Sequence, residues 1–250
     1  MKSPILAIDI GGSYIKAGLV DTAAGRIVGA VSSKPMPAGA TPDAVMEVLV
    51  NLCSELPAEG PVGLTYPGVV KNGIAWTAAN VDDQWIGKNV RSMLERRIAR
   101  PVAFVNDADA AGIAEMRLGA GRDRVGTVMV LTLGTGIGSA LFVDGRLVPN
   151  MEFGHLEVMG QEAEHRASAK VRIDRGLSWQ EWSEAVNEVL ATYHALLWPD
   201  LFIIGGGVTE NWNRFGTLLR CRAEILRAYF GNDAGLIGAA MLAAADARSS

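Results

Sequence analysis

The sequence predicts an α/β protein of two related lobes, and three observations carry that prediction. A glycine-rich turn between apolar, strand-like runs is written twice, first as Ile8-Asp9-Ile10-Gly11-Gly12-Ser13-Tyr14-Ile15-Lys16 and again as Leu131-Thr132-Leu133-Gly134-Thr135-Gly136-Ile137-Gly138-Ser139. The flanks match as well: Ala17–Asp21 and Gly25–Val28 after the first turn, Ala140–Asp144 and Gly145–Val148 after the second. Each hairpin then gives way to helix–strand units rather than to more hairpins, the pattern of α/β layers. A duplicated phosphate-loop hairpin points to two lobes that grip one phosphate chain between them.

The elements follow in order. Ile5–Ile10, Ile15–Val20 and Arg26–Val31 read as strands, rich in Ile and Val and punctuated by glycine. Thr41-Pro42 opens a helix, with a cap residue followed by proline at the first helical position. Its buried stripe is Val45, Val48, Leu49 and Leu52. Val62–Thr65 is the next strand, stopped by Pro67-Gly68; Leu94 and Ile98 mark a short helix, and Val102–Val105 a buried strand ending at Asn106-Asp107. Ala108–Leu118 is alanine-rich and helical. The second hairpin has Asp144-Gly145 as its two-residue turn. Ser178 and Glu181 form a capping box for a long helix, whose stripe is Trp182, Val186, Val189, Leu190, Tyr193, Leu196 and Leu197. Pro199 ends that helix, Leu201–Ile204 leads as a buried strand into Gly205-Gly206-Gly207, and Gly235–Ala247 closes the chain as a small-residue helix. The lobes are expected over 1–107, with 235–250 packing back on them, and over 108–234.

Composition narrows the function classes. A chain of 250 residues that is 49% hydrophobic buries a substantial core. Its net charge of -4 offers no global attraction to nucleic acid or an anionic membrane. Cys53 and Cys221 are too few for a disulfide framework and lack metal-ligand spacing, which favours a reducing setting. Met1-Lys2-Ser3-Pro4 runs into a strand at once, leaving no room for a signal peptide, and no apolar run approaches membrane-spanning length. A cytoplasmic protein is expected.

Backbone N–H groups of a tight glycine turn approach phosphate oxygens with no Cβ in the way. Gly11, Gly12 and Ser13 are candidates in one lobe, with Lys16 adding charge; Gly134, Thr135 and Gly136 are candidates in the other. The competing view is that glycine only serves the hairpin geometry. A dinucleotide fold is rejected, because its Gly-x-Gly motif must open a helix, whereas Ser139–Val143 continues as a strand. Asp107, between a buried strand and a helix, is placed to accept the proton of an attacking hydroxyl, although capping by Asn106 or Asp107 accounts for the local sequence equally well. Asp9 is placed to orient a hydrated Mg²⁺. Glu152, His155 and Glu157 suit the vicinal hydroxyls of a polyol. Metal ligation by His155 lacks companions, so no zinc is expected. Arg166, Lys170, Arg172 and Arg175 form a basic run, ordinarily a solvated face.

Together these residues resemble the ROK sugar kinases of the actin-like ATPase superfamily, with its ribonuclease H-like fold. Within them they resemble the polyphosphate glucokinase branch, which includes glucomannokinases using polyphosphate or ATP. The carriers are Asp9–Ser13, Ala78-Ala79-Asn80-Val81-Asp82 with Trp85, Val105–Gly112, Leu133–Gly138, Pro149-Asn150 with Glu152, Gly154-His155-Leu156-Glu157, Leu177-Ser178-Trp179 and Pro199–Gly207. The resemblance implies that Asp107 is the base on the sugar 6-hydroxyl, and that Asn80, Asn106, Glu152, His155 and Glu157 hold the other hydroxyls. It further implies that the glycine turns hold the phosphoryl donor, that Gly205, Gly206 and Gly207 lie where adenosine sits in ATP-using relatives, that Mg²⁺ assists, and that the protein is a homodimer. Lysines usual in relatives are replaced here by Asp83 and, after the triple glycine, by a segment carrying Glu210. A kinase for mannose or an amino sugar is the first alternative. A sugar-sensing regulator is the second, and it requires a basic DNA-binding element that is not seen ahead of the first strand.

Overall fold

The computed structural model describes residues 3–78 and 81–249. The chain divides into two compact units, one formed by 1–114 with 233–250 and the other by 115–232.

In the first unit, β1 (Ile5–Ile10), β2 (Tyr14–Asp21) and β3 (Arg26–Pro35) form an antiparallel meander. The chain continues through α1 (Pro42–Glu55), β4 (Val62–Tyr66), the short hairpin β5 (Val70–Lys71) and β6 (Ile74–Ala75), α2 (Val90–Ile98) and β7 (Val102–Asn106). The sheet order is β3-β2-β1-β4-β7, with β4 parallel to both β1 and β7. β4 is buried along its whole length, as a strand covered on both faces must be. Val45, Met46, Leu49 and Leu52 of α1 pack on this sheet with Leu6, Ile8, Ile10 and Leu64. α3 (Asp107–Leu118) follows β7 directly.

In the second unit, β8 (Thr127–Leu133), β9 (Ile137–Val143) and β10 (Arg146–Val148) repeat the meander. Then come the hairpin β11 (Glu157–Val158) and β12 (Gln161–Glu162), two short helices α4 (Ala163–Ala167) and α5 (Ala169–Asp174), and the long α6 (Trp179–Leu197). β13 (Leu201–Gly205), α7 (Trp212–Phe215) and β14 (Glu224–Arg227) complete the unit. The order β10-β9-β8-β13-β14, again with two parallel pairings after the hairpins, matches the first sheet strand for strand. The duplicated turn therefore belongs to a duplicated sheet.

α6 begins with both arms of the capping box, Ser178 Oγ accepting Glu181 N–H and the Glu181 carboxylate accepting Ser178 N–H. Trp182, Val186, Val189, Leu190 and Tyr193 of the expected stripe are buried, whereas Leu196 lies outside the core at 59% exposure. The chain's last helix, α8 (Ala234–Ser249), belongs to the first unit and packs on β4 and β1. Its approach depends on glycine at two positions. A Cβ on Gly63 would overlap the backbone of Ala239, and one on Gly238 would overlap the carbonyl of Ala110. At the start of the second unit the buried Glu115 carboxylate accepts N–H bonds from Ala120, Tyr229 and Phe230, closing the end of α3 against the segment after β14.

Strand β3 runs four residues beyond the expected Val31, and β5, β6, β11, β12, β14, α4, α5 and α7 are elements that periodicity missed. All but the β3 extension have six residues or fewer, too short to show a repeat. No helix among the described residues is long and apolar enough to cross a membrane.

Candidate functional site

The first glycine turn joins β1 to β2. Gly11 N–H donates to Tyr14 O at 3.0 Å, and a Cβ at Gly11 would stand 2.9 Å from that same oxygen, so glycine is what lets the turn close. Gly12 and Ser13 are exposed at its tip, and Met36 N–H anchors Ser13 O from the side. The tip opens on a cavity of about 480 Å³ lined by Gly12, Ser13, Met36, Pro37, Ala40 and Asp82, among others. Asp9 and Lys16 are cross-strand neighbours behind the turn. One Asp9 carboxylate oxygen accepts the hydroxyl of the buried Thr65 at 2.5 Å. Burial raises the Asp9 pKa above the ordinary carboxylate value, opposed by the Thr65 hydrogen bond and the Lys16 charge.

At the end of β7 the two candidate caps separate in role. Asn106 is the cap: its Oδ1 accepts Asp109 N–H at 2.9 Å, while its Nδ2 donates to Gly68 O at 3.1 Å. Asp107 is the first helical residue, half-buried, with Oδ1 accepting Ala108 N–H at 2.8 Å. The helix end is satisfied without Asp107 as its cap. Asn106 is buried and bonds the backbone through both ends of its amide. Asn80 lies outside the described residues.

The second glycine turn is supported differently. Gly134 N–H donates to Gly136 O at 3.0 Å, and Gly134 O accepts the N–H of Lys170, at the start of α5. Thr135 is exposed at the tip. A Cβ on Gly136 would overlap the carboxylate of Glu164, so the turn and that acid are in direct contact. Gly206, at φ +87°, packs its backbone on Leu133 immediately before the turn, and Gly207 lies near Asn232. The triple glycine is thus explained in part by close packing. Gly205 sits buried at the end of β13 against Ala228.

Glu152 and His155 are brought together, with two further acids. His155 Nδ1 lies 3.3 Å from Glu162 and 3.8 Å from Glu164, and Nε2 lies 4.0 Å from Glu152. His165 adds contacts at 3.6 Å to Glu162 and 3.9 Å to Glu164. Desolvation raises the Glu152 pKa; His155 pulls it down and Glu164 pushes it up again. Burial, and then the Glu164 charge, raise the pKa of the Tyr193 hydroxyl, which donates to Phe153 O at 2.6 Å. Glu162 and Glu164 were visible in the sequence only as acids in a mixed-charge run. Their contact with His155 arises because the β11–β12 hairpin folds α4 back over it, with Ala163 N–H donating to Leu156 O at 2.9 Å.

Glu157 sits exposed on β11, cross-strand from Glu162, and among the described residues it joins neither the cluster nor the adjoining cavity of about 340 Å³ lined by Met151, Glu152, Phe153, His155 and Leu156. His155 does have companions of metal-ligand type, since its ring and the carboxylates of Glu162 and Glu164 bring ligand atoms within 4.8 Å of one another. The basic run is not a phosphate track but a set of local ties. Arg166 pairs with Glu188 and Lys170 with Asp174, Arg172 lies 3.9 Å over the Trp179 ring, and Arg175 donates to His165 O.

The chain is similar to known proteins along most of its length. The ROK family profile matches residues 5–170. The polyphosphate glucokinase of Mycobacterium tuberculosis is 45% identical over 240 residues, covering 96% of this chain and 91% of that protein. The crystal structure of the inorganic polyphosphate/ATP-glucomannokinase from Arthrobacter sp. strain KM superposes with a TM-score of 0.93 at 44% identity, over 98% of this chain and 100% of that one. A ROK family glucokinase from Streptomyces griseus, solved with glucose and AMPPNP, superposes at 0.82 with 26% identity, over 97% of this chain and 99% of the other.

Proposed function

The chain belongs to the ROK family, and from that premise we propose a glucokinase that draws its phosphoryl group from inorganic polyphosphate, ATP or both. It transfers that group to the 6-hydroxyl of glucose. The observation that carries the assignment of roles is the division of labour at the β7–α3 junction: Asn106 caps the helix, and Asp107 follows it as the first residue of α3, where we place the base. Asp107 accepts the 6-hydroxyl proton as the oxygen attacks the terminal phosphorus. The phosphorus–oxygen bond to the donor breaks, and polyphosphate shortened by one unit, or ADP, departs. Little covalent work falls to the protein in such a transfer; positioning and charge stabilisation do most of it.

Glu152, His155 and Glu164, with Glu162 behind the imidazole, present acceptors and a donor for sugar hydroxyls. The exposed tips Gly12-Ser13 and Gly134-Thr135-Gly136 present N–H groups and hydroxyls for phosphate oxygens. The Asp9 oxygen not taken by Thr65 suits one water of a hydrated Mg²⁺, which needs few protein ligands and, when bound, neutralises donor phosphate charge. A cytoplasmic homodimer is the setting we infer.

The experiment is a donor matrix: glucose with ATP, GTP or long-chain polyphosphate, product followed as glucose 6-phosphate, for wild type and Asp107→Asn. Turnover is expected with polyphosphate, ATP or both, and to fall by about 10²–10⁴-fold in the variant, with glucose binding retained by calorimetry. Equal turnover in the two proteins removes Asp107 from the base role. No product with any donor removes the kinase reading itself.

A further inference from the structure

In the second unit the sugar-side cluster and the phosphate-side turn are joined by one corner of backbone. α4 carries Glu164, which touches both His155 and Gly136. α5 carries Lys170, whose N–H holds Gly134 O at 3.1 Å. The two helices meet at Ser168, buried at 1% exposure. Its N–H donates to Glu164 O at 3.2 Å, closing α4, and its Oγ accepts Val171 N–H at 3.3 Å, opening α5. At the bend the Ala167 carbonyl ends α4, and from α5 Ser168 O accepts only a long bond from Arg172 N–H, at 3.4 Å. Both accept the indole N–H of Trp182, at 3.0 and 3.1 Å.

We propose that Trp182 is a positioning residue for both substrates: its single N–H, shared by the Ala167 and Ser168 carbonyls, sets the angle between α4 and α5 and so the spacing between Glu164 and the Gly134–Gly136 turn. The rest of the side chain is fully buried against Trp179 and Phe215, at ring-centroid distances of 5.8 and 5.1 Å, so the N–H is held in place by packing alone. A second brace acts on α5 only. Arg172 donates to Leu177 O at 3.3 Å and lies over Trp179, which stacks on Phe215 within 12° of parallel. Loss of the indole N–H takes the donor from Ala167 O and leaves Ser168 O with the long Arg172 bond alone, a cost the corner relieves by opening toward water. Loss of Arg172 frees α5 while leaving Glu164 where it is.

The inference rests on the kinase reading for its kinetic arm, and the second arm is independent of it. Trp182→Phe keeps the ring and removes the N–H. The KM values for glucose and for the phosphoryl donor are expected to rise together, each about five-fold, whereas Arg172→Leu raises the donor KM alone. A residue that only stabilises the fold lowers the active fraction, and hence the apparent kcat, with both KM values unchanged; that result overturns the proposal. In hydrogen–deuterium exchange, Trp182→Phe is expected to speed exchange in peptides covering 163–172 and 131–137 together, with or without kinase activity. Faster exchange in one of these segments only, or in neither, also overturns it. Should Trp182→Phe not fold, an unchanged donor KM and unchanged 131–137 exchange in Arg172→Leu is the overturning outcome.

Discussion

The two glycine turns share a sequence pattern and a place in matching sheets, yet they are held by different means. The first is held from within its own sheet. Its closing bond runs from Gly11 to Tyr14, and Thr65 on the strand beside β1 supports Asp9 behind it. The second is held by material that follows its hairpin: Lys170 of α5 and Glu164 of α4. Charge is distributed accordingly. The first turn has its own carboxylate and ammonium, cross-strand at Asp9 and Lys16. The second has none of its own and borrows Glu164, an acid shared with the cluster proposed to bind sugar. A repeated motif thus acquires two settings: in the first unit it adjoins a buried carboxylate, in the second it touches the cluster proposed to bind sugar.

Substitutions break this comparison in graded fashion. The largest contrast is expected between Asp9→Asn and Thr135→Val. With Asp9 in the role proposed for it toward hydrated Mg²⁺, Asp9→Asn is expected to lower kcat by about a hundred-fold, while Thr135→Val costs one hydroxyl bond and raises the donor KM about five-fold. Asp9→Asn also carries a stability signature of opposite sign. The Asp9 pKa is raised in the folded state, so its favourable contribution is present at low pH and lost as pH rises through the folded value. At neutral pH the buried charge is a liability that asparagine removes. The melting temperature of Asp9→Asn is therefore expected to exceed wild type near pH 7, with the gap closing as pH falls into the carboxylate range. A gap that widens on acidification contradicts the assigned cause.

The next contrast uses one substitution at two places. Gly11→Ala meets a backbone oxygen at 2.9 Å that cannot move aside, and a loss of about 1–3 kcal/mol in stability is expected from denaturant titration. Gly136→Ala meets the end of a flexible side chain, the Glu164 carboxylate. Stability is expected to stay within about 1 kcal/mol of wild type, while Glu164 shifts and the glucose KM rises about ten-fold. An unchanged glucose KM in Gly136→Ala separates the turn from the cluster. The smallest effect sharpens the same point. Lys170 holds the turn through its backbone N–H, and among the described residues its exposed ammonium pairs with Asp174. Lys170→Ala is thus expected to change the donor KM by less than about two-fold in steady-state assays; a larger rise assigns the side chain to the donor.

Legibility followed the length scale of the interaction. The first five strands of regular length, α1, α3, the capping box of α6 and both glycine turns were readable, since each is set by residues a few positions apart. Asp107 was readable as a candidate, but local sequence left it tied with Asn106 for the cap. The tie was broken by Gly68, nearly forty residues upstream, whose carbonyl receives the Asn106 amide and orients it toward Asp109. Glu164 was passed over and Glu157 chosen in its place. Proximity to His155 along the chain favoured Glu157, whereas Glu164 reaches the imidazole because a two-stranded hairpin turns α4 over it.

By itself the sequence determined the duplicated α/β architecture, the two phosphate-competent turns, the carboxylate after β7 and the membership of the ROK family. All of these rest on periodicity, turn chemistry and short motifs, which act within one element or its immediate neighbours. Only the tertiary structure decided which acids surround His155, which partners the cations of the run 166–175 find, and how Trp182 bonds the corner between α4 and α5. Those depend on contacts between segments far apart in the chain or on the direction of a short helix. No local pattern encodes either, because several packings satisfy the same local preferences and the burial of the whole unit selects among them.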